Sequence, residues 1–599
     1  MVWQFFSGQE YYEPRLPLAL PSYARVLRAG LDQLRAQAEP GDPGLRELEE
    51  ILTEIDLLPS SILDSLEQRR DLQQVRLRIK RRLDALATTH SMIADHIARA
   101  VATVNGTPGE AASFDILDQI LSEQAYRLSD WKLARERINY RRFFDINDLV
   151  SLNVHLPDVF RETHQMIIDR LRRGQVDGLR IDHIDGLHDP IGYLEQLQHT
   201  ASETEQGPTE DDPERDGTYV VVEKILAGDE ELRDTWPVNG TTGYDFISVV
   251  EQISVNPARR PVIDRLYQAI SGEQRTFTDI AYQSKIQVMR DLFPGNIRSL
   301  AVRLDNLAER HRYGRDITLE DLERAIIETT ACLPIYRTYI RDFSVEEEDR
   351  RWILAAIAEA RERRPEIGHA LGFLRRVLLL AVPPYLPDEE RNSWLDFTMR
   401  WQQITGPVMA KGFEDTALYV YNRLVSLNEV GGRPDVFGSE VAAFHAHNQY
   451  TREHWPHAMN ASSTHDTKRS EDVRARIAVL SEIAPEWERR VQRWRQLNAG
   501  HRATVDGHVM PDGNTEYLIY QSLIGAWPFD ETEIDAFHSR LRDYVLKAAR
   551  EAKVYTSWVR PDERYEHGLT TFVDALFDDR ASAPFMRDFR PFQQRVAGW

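Results

Sequence analysis

The sequence contains a single cysteine, Cys332, among its 599 residues. One thiol cannot form an internal disulfide, and the first residues lack both the basic segment and the continuous apolar segment of a secretory signal. We therefore expect a cytoplasmic protein. Cys332 stands in an apolar stretch with no second cysteine and no thiolate-stabilising motif beside it, so it is predicted to be a buried structural residue rather than a nucleophile.

Long apolar runs and an excess of basic residues are also missing. The longest apolar-looking run, residues 377–386, contains two prolines and is far shorter than the ~20 residues that a membrane helix needs. The chain has 74 Lys and Arg residues against 96 Asp and Glu residues, which gives a net charge of −22. Such a charge does not suit a surface that follows phosphates. We therefore expect neither a membrane nor a nucleic acid as a partner.

Apolar residues at spacings of three and four predict several long helical segments. The helical patterns cover residues 23–102, 114–135, 157–173, 256–390, 484–497 and 516–527. Residues 203–217 are instead rich in Asp, Glu and Pro, and we expect a mobile surface loop there.

Two short β-like runs interrupt the helical pattern, at residues 176–183 and 219–223. Short apolar strands that alternate with long helices predict a buried parallel sheet. Each run contains an acid near its end, Asp182 or Glu223, and the carboxyl ends of parallel strands converge on one mouth in α/β barrels. A third candidate acid, Asp466, follows a strand-like stretch that begins at Ala461. Two carboxylates about 5 to 5.5 Å apart support retaining glycoside chemistry.

Spacing alone leaves other interpretations of these acids open. Asp182, His183 and Asp185 lie close together in the sequence, and such residues are ordinary metal ligands. Glu223 could equally form a structural ion pair with Lys224 or interact with a helix N-terminus.

The residue sequences of these runs resemble those of a known family. Three of them resemble the second, third and fourth signature regions of the α-amylase superfamily of retaining glycosidases: residues 178–183 (GLRIDH), 222–225 (VEKI) and 463–467 (STHDT). Further strings are similar to the maltooligosyltrehalose synthases within that superfamily: residues 139–149, 182–187, 223–226, 240–246, 411–419 and 550–558. The resemblance extends from about Ser113 to Trp558.

The resemblance implies an α/β fold, an incomplete (β/α)8 TIM-type barrel of the α-amylase type with large helical insertions, mostly helical overall. We find no run like the family's first signature region, and we expect the N-terminal barrel strands and the C-terminal β-domain to be absent. The implied organisation is a helical insertion segment at 1–112, central barrel strands with the catalytic acids at 113–250, a helical subdomain at 251–400, and later barrel strands with C-terminal helices at 401–599.

The resemblance also implies an activity, an intramolecular transglucosylation that converts the reducing-end α-1,4 linkage of a maltooligosaccharide into an α,α-1,1 linkage. Asp182 would attack the anomeric carbon, Glu223 would act as acid and base, and Asp466 would stabilise the oxocarbenium-like transition state. This mechanism needs no metal and no organic cofactor. A maltooligosyltrehalose trehalohydrolase that acts on the product is a further expected partner.

The implied substrate-binding residues are Arg180, His183, Asp185, Lys224, Tyr244, His465 and Lys468. Arg180 lies two residues before Asp182, on the same strand face, and would keep that carboxyl ionised. His465 would hydrogen-bond sugar hydroxyls. His183, Asp185 and residues 240–246 are candidates for closing the pocket around the released glucose, or they only shape its rim.

Two other functions remain open from the sequence. The chain could be an α-glucan hydrolase or chain transferase of the same superfamily, with the same acids and a different acceptor pocket. It could also be a non-catalytic fragment whose helical segments, residues 23–102 and 256–390, form an interaction surface.

Overall fold

The computed structural model describes residues 16–59, 66–202, 217–505, 507–578, 580 and 582–599. Of the surface loop expected at 203–217, all but the last residue lies outside the described residues. The chain divides into two compact units, Met1–Trp131 and Lys132–Trp599.

The first unit is helical, as the pattern over residues 23–102 predicts. Its helices are α1 Leu20–Arg28, α2 Leu31–Gln37, α3 Pro43–Asp56, α4 Leu66–Thr89, α5 Ser91–Asn105 and α6 Asp115–Ser122. Leu34, Leu48, Ile51 and Ile93 are fully buried between them. Helix α3 shows how a local sequence sets a helix start, since Pro43 occupies its first turn and the Asp42 side chain accepts the Leu45 N–H at 2.8 Å.

The single helix predicted over 114–135 is wrong beyond Ser122, where α6 ends. The side chain of Gln124 is tied to the start of α1 instead. Its Oε1 accepts the Ala19 N–H and its Nε2 donates to Ser22 Oγ, both at 2.9 Å. A tertiary contact of this kind overrides a local helical pattern.

The second unit contains the remaining helices. They are α7 Ala134–Arg137, α8 Pro157–Arg172, α9 Pro190–Ser202, α10 Tyr244–Ile253, α11 Arg260–Ser271, α12 Phe277–Asp291, α13 Pro294–Glu309, α14 Leu319–Cys332, α15 Glu347–Arg363, α16 Gly368–Leu378, α17 Asp388–Val408, α18 Leu418–Val420, α19 Val441–His454, α20 Glu471–Glu482, α21 Ala484–Leu497, α22 Gly513–Ala526, α23 Ile534–Ala552, α24 Glu563–Phe577 and α25 Ala583–Ala597. They confirm the helices predicted at 157–173, 256–390, 484–497 and 516–527. A π-helix, Met409–Ala417, joins α17 to α18.

The strands are few and short. They are β1 Arg142–Phe143, β2 Ile146–Val150, β3 Gly178–Ile181, β4 Tyr219–Val222, β5 Ala503–Val505 and β6 His508–Met510. β1–β2 and β5–β6 are antiparallel pairs, whereas β3 and β4 are parallel, with Gly178 opposite Tyr219 and Ile181 opposite Val222. Val222 also forms a parallel bridge to Thr241. The two predicted β-like runs therefore form neighbouring parallel strands.

The strand expected before His465 and Asp466 is wrong, because residues 461–467 form an irregular turn. The hydroxyls of this Ser- and Thr-rich segment bond to its own backbone and compete with a strand ladder. Thr464 Oγ1 accepts the Asp466 N–H at 3.2 Å, and Thr467 Oγ1 donates to Thr464 O at 2.7 Å.

Two apolar clusters hold the helices of the second unit together. Trp394 and Trp401 lie in the cluster built by α12–α17, and Trp487 and Trp494 lie in the cluster of the C-terminal helices. Cys332 ends α14 as a buried free thiol, as predicted, and burial raises its pKa to about 12. Within the described ranges, none of the helices combines the length and apolar character needed to cross a bilayer.

Candidate active site

Asp182 and Glu223 stand side by side because they follow the last residues of two paired strands. The Glu223 N–H donates to Ile181 O at 2.9 Å, and the His183 N–H donates to Glu223 Oε2 at 2.6 Å. The first bond carries the main-chain ladder of β3 and β4 one step beyond the strands, and the second ties the Glu223 side chain to the backbone that follows Asp182. The backbone, rather than side-chain packing alone, therefore sets the relative position of the two acids.

Arg180 and burial together give the two acids different protonation preferences. Its guanidinium donates to Asp182 Oδ1 and lies 3.4 Å from Glu223 Oε1. Burial opposes the charged form of Asp182, but the hydrogen bond and charge of Arg180 outweigh it and lower the pKa of Asp182. Burial, reinforced by the charge of Asp182, raises the pKa of Glu223 to about 7. Near neutral pH, Asp182 is ionised and Glu223 can hold a proton.

Asp466 reaches the site from the turn between α19 and α20. The Tyr244 hydroxyl donates to Asp466 Oδ2 at 2.7 Å, and His465 Nε2 lies 3.3 Å from the same oxygen. Tyr244 is the first residue of α10 and follows Gly243, whose φ is 92°. A Cβ on Gly243 would stand 2.5 Å from the Ala461 backbone nitrogen. Residues 240–246 thus contain a strand bridge and a helix start, and Tyr244 at that helix start supports Asp466.

A cavity of about 440 Å³ brings most of these residues together. The sequence-predicted residues that line it are Asp182, His183, Asp185, Glu223, His465, Asp466 and Lys468. Arg180 and Tyr244 contact these acids from outside the lining, through the bonds described above.

Lys224 does not line the cavity. Its side chain is 2% exposed, and Nζ lies 2.8 Å from Glu230 Oε1 and 3.6 Å from Asp185 Oδ2. Asp185 is itself buried and accepts the Tyr339 hydroxyl. Lys224, Asp185 and Glu230 therefore form a buried cluster of ionisable groups, of which only Asp185 lines the cavity.

His183 has a strained backbone that the sequence does not reveal. Its φ is 47°, in the left-handed region. The ring centroid lies 5.2 Å from that of Phe143 and 4.6 Å from that of Phe144. Gly186 makes room for the ring, because a Cβ there would meet His183 Cδ2 at 2.2 Å. Burial lowers the pKa of His183, which favours a neutral ring.

The π-helix Met409–Ala417 forms part of the cavity wall, and the sequence did not predict its side chains as site residues. Lys411, Glu414 and Asp415 of this helix line the cavity. Lys411 Nζ lies 3.0 Å from Asp415 Oδ2, and Lys468 Nζ lies 3.5 Å from Asp415 Oδ1. The family resemblance at residues 411–419 could have pointed to these residues. The spacing of residues does not reveal the π-helix that directs their side chains into the cavity. π-Helical turns occur frequently at functional sites.

Glu414 and Asp415 also differ in protonation preference. Burial raises the pKa of Glu414 to about 7, although the Tyr336 hydroxyl donates to its carboxyl. Burial acts on Asp415 in the same direction, but the charges of Lys411 and Lys468 outweigh it and lower its pKa.

The metal interpretation of residues 182–185 finds no support in the geometry. Asp182 is directed to Arg180, whereas Asp185 is directed to Tyr339 and Lys224. Among the residues that the structure describes, no group of three or more His, Cys, Asp or Glu side chains could hold a metal ion.

An ionised carboxylate beside a protonated carboxyl, both facing one cavity, is the pair of groups that retaining glycosidases use as nucleophile and as acid/base. In this arrangement the ionised carboxylate can attack an anomeric carbon, and the protonated carboxyl can give its proton to the leaving oxygen.

Known proteins are similar to this chain over most of its length. The chain is 33% identical over 457 residues to a maltooligosyl trehalose synthase of Mycobacterium tuberculosis, a match that covers 76% of this chain and 53% of the relative. The maltooligosyltrehalose synthase of Arthrobacter ramosus matches with a TM-score of 0.67 and 32% identity, over 80% of this chain and 56% of that chain. The DSM5389 glycosyltrehalose synthase matches with a TM-score of 0.62 and 34% identity, over 81% of this chain and 55% of that chain.

These similarities confirm the resemblance to maltooligosyltrehalose synthases that the motifs predict. The mostly helical structure described above is similar to the solved synthases. The chain spans about half the length of the curated relatives it matches. No family model matches the chain.

Proposed function

We propose that this protein acts in intramolecular transglucosylation, converting the reducing-end α-1,4 linkage of a maltooligosaccharide into an α,α-1,1 linkage, as part of trehalose biosynthesis. The observation that carries the proposal is the pair Asp182 and Glu223, held on neighbouring strand ends with opposite protonation preferences. The similarity to proteins named maltooligosyltrehalose synthase supports the same reaction.

In the first step, an Asp182 oxygen bonds to the anomeric carbon as the bond from that carbon to O4 of the terminal glucose breaks. Glu223 gives its proton to the departing O4, which leaves a covalent glycosyl-enzyme and a free glucose. Asp466, steadied by the Tyr244 hydroxyl at 2.7 Å, stabilises the positive charge that develops at the anomeric carbon.

In the second step, the released glucose turns and its anomeric hydroxyl attacks the glycosyl-enzyme. The proton of that hydroxyl goes to Glu223 and the bond to Asp182 breaks, so both acids return to their starting states. Glucose competes with water only if it stays held, since a held reactant can reach an effective concentration of about 10⁵ M or more. His183, Asp185 and His465 are the proposed holding residues, together with Lys468.

The finer architecture is part of the proposal. Strands β3 and β4 and the bridge at Thr241 belong to an incomplete α-amylase-type barrel. That barrel takes up residues 113–250 and part of 401–599, with helical segments at 1–112 and 251–400. We place the reaction in the cytoplasm, with a maltooligosyltrehalose trehalohydrolase as the enzyme that consumes the product. A role of Arg180 in substrate binding is proposed as well, whereas Lys224 is proposed to act only indirectly, through its buried contacts with Glu230 and Asp185.

The test uses the purified chain with maltopentaose and follows reducing ends and free glucose together. The expected result is a loss of reducing ends without glucose release, and Asp182→Asn is expected to abolish it while its thermal unfolding stays like that of the original chain. Release of glucose would identify the hydrolase alternative instead. A folded chain that leaves the substrate unchanged would overturn the proposal in favour of a non-catalytic fragment.

A further inference from the structure

A second cavity, of about 210 Å³, adjoins the candidate active site. Met409 and Phe413 of the π-helix line it, and Ile225 and Tyr336 line both cavities. We call it the Lys285 cavity, after the lysine in its lining. Its volume is roughly that of seven water molecules at about 30 Å³ each, so it can hold a small molecule.

The Lys285 cavity has an exposed mouth and a buried floor. Gly228, Thr278 and Asp435 line the mouth and are exposed. Lys285 and Cys332 line the floor and are 5% and 6% exposed. The walls between mouth and floor are mostly apolar and include Ile225, Leu226, Phe277, Ala281, Met409 and Phe413. Apolar walls with a few placed polar groups are typical of small-molecule sites.

Lys285 carries a charge that no described side chain neutralises by contact. Its Nζ donates to the Leu333 carbonyl oxygen at 2.7 Å, and no carboxylate of the described residues forms an ion pair with it. Burial lowers the pKa of Lys285 to about 8, so the ammonium still predominates near pH 7. An ammonium has three N–H donors, and one carbonyl does not replace its hydration. A buried charge of this kind beside a cavity indicates a ligand of opposite charge.

The other ionisable groups of the cavity lining are paired or neutral. Glu359 accepts a hydrogen bond from Arg363 at 2.9 Å, and Asp435 lies 3.4 Å from Arg433. Burial raises the pKa of Cys332 to about 12, so its thiol stays neutral. Among the described residues, the lining therefore presents one positive charge without a contacting counterion, which matches a monoanion.

The Lys285 cavity is also in direct contact with the π-helix. A Cβ on Gly412 would lie 2.8 Å from Lys285 Cα and 2.9 Å from its Cγ, so the π-helix and α12 are closely packed. The rings of Phe277 and Phe413 lie edge to face, with centroids 5.1 Å apart. A molecule in this cavity would therefore contact the helix that carries three charged side chains to the candidate active site.

We propose that the Lys285 cavity binds a short-chain monocarboxylate and that the bound carboxylate stabilises the π-helix. The carboxylate accepts hydrogen bonds from Lys285 Nζ, and its aliphatic body packs against Phe277 and Phe413. Hydrogen bonds between an ammonium and a carboxylate are roughly twice as strong as those between neutral groups. A dianion suits the cavity less well, because Glu359 and Asp435 also line it. The inference is independent of the proposed reaction.

The test measures butyrate binding to the purified full chain by titration calorimetry, with butyramide as the neutral analogue. Butyrate is expected to bind, and butyramide to bind at least about 10-fold more weakly, since it lacks the charge that pairs with Lys285. Lys285→Met removes the ammonium and is expected to weaken butyrate binding at least about 10-fold. Bound butyrate is expected to slow hydrogen exchange at residues 281–289 and 409–417.

Two further variants control this test. Lys547→Met is the matched control, because Lys547 is an exposed lysine of α23, and it is expected to leave butyrate binding unchanged. Thr278→Trp places a large side chain at the exposed mouth and keeps Lys285, so it is expected to weaken binding at least about 10-fold. It decides the question if Lys285→Met does not fold.

The proposal is overturned if the folded chain does not bind butyrate, or if butyramide binds equally well. Butyrate binding that survives in folded Lys285→Met also overturns it, as does binding unaffected by Thr278→Trp when Lys285→Met is unfolded. Inorganic phosphate that binds more tightly than butyrate would show that the cavity prefers another anion. Unchanged hydrogen exchange at residues 409–417 would overturn the stabilisation of the π-helix.

Discussion

The backbone N–H of His183 donates a 2.6 Å hydrogen bond to Oε2 of Glu223. The residue after Asp182 on one strand end thereby holds the carboxyl that follows the other strand. The Glu223 carboxyl is thus held by the backbone of the paired strand, and a site built on strands is more precise than one built on loops.

Activity is expected to fall as pH rises through about 7, because Glu223 must carry a proton and burial beside Asp182 raises its pKa to about 7. On the acid side, activity should persist to below the ordinary pKa of an aspartate, since Arg180 lowers the pKa of Asp182. A kcat/KM profile against pH measures both limbs. Glu223→Gln is expected to lower kcat by about 10² to 10⁴-fold and to remove the alkaline limb.

Glu414 also has a pKa near 7, so Glu414→Gln is the control for this profile. If that variant loses the alkaline limb and Glu223→Gln keeps it, the titrating group is Glu414 and the assignment of the acid is wrong.

The same pKa shift predicts how Glu223 affects stability. The pKa of Glu223 in the folded state lies above its ordinary value of 4.5, so its favourable contribution is complete below about pH 4.5 and is lost as pH rises through about 7. Glu223→Gln should therefore be more stable than the original chain at pH 8, while the difference should shrink or reverse at pH 4. Urea unfolding at the two pH values checks this, and an equal difference at both would contradict it.

Lys224→Met is expected to act on stability rather than on substrate affinity. The change leaves Glu230 and Asp185 buried without the ammonium that lies 2.8 Å and 3.6 Å from them. Removing one partner of a buried pair typically costs about 3–5 kcal/mol. Urea unfolding measures the loss, and Lys547→Met, at an exposed lysine, is the control. A variant with normal stability and a raised KM would instead support a direct role of Lys224 in substrate binding.

Gly186→Ala is expected to reduce activity about 10²-fold with little change in unfolding. A Cβ at this position would lie 2.2 Å from Cδ2 and 2.4 Å from Nε2 of His183, so the imidazole must move, and a displacement of about 1 Å can cost that much in rate. Gly500→Ala is the control, because a Cβ there meets no atom within 4 Å. Unchanged activity in Gly186→Ala would show that the position of His183 is unimportant for the reaction.

Trp494→Ala is expected to destabilise the second unit by about 3–5 kcal/mol in urea unfolding. The indole is fully buried against Phe585, Phe589 and Phe592, and its Nε1 donates to Asp588 at 3.0 Å. Trp599→Ala, at a tryptophan that is 71% exposed, should change stability by less than about 0.5 kcal/mol. A loss of stability in Trp494→Ala as small as that in Trp599→Ala would mean that the cluster tolerates a cavity.

The spacing of apolar residues predicted the helices and strands well where tertiary contacts favour the same local structure. Helices α8, α21 and α22 and strands β3 and β4 lie where spacing and β-branched runs indicate. It failed after Ser122, where Gln124 is tied to α1, and at residues 461–467, where hydroxyls bond to their own backbone. Both failures come from side-chain hydrogen bonds, whose partners are not visible in the spacing of apolar residues.

The sequence by itself determined which acids stand at strand ends, because Asp182 and Glu223 directly follow short β-like runs. The left-handed His183 and the buried position of Lys224 were decided only by the tertiary structure. The same holds for the π-helix that brings Lys411, Glu414 and Asp415 to the cavity. The physical reason is that a strand end follows from neighbouring residues, whereas burial, charge pairing and pKa depend on groups far apart in the chain.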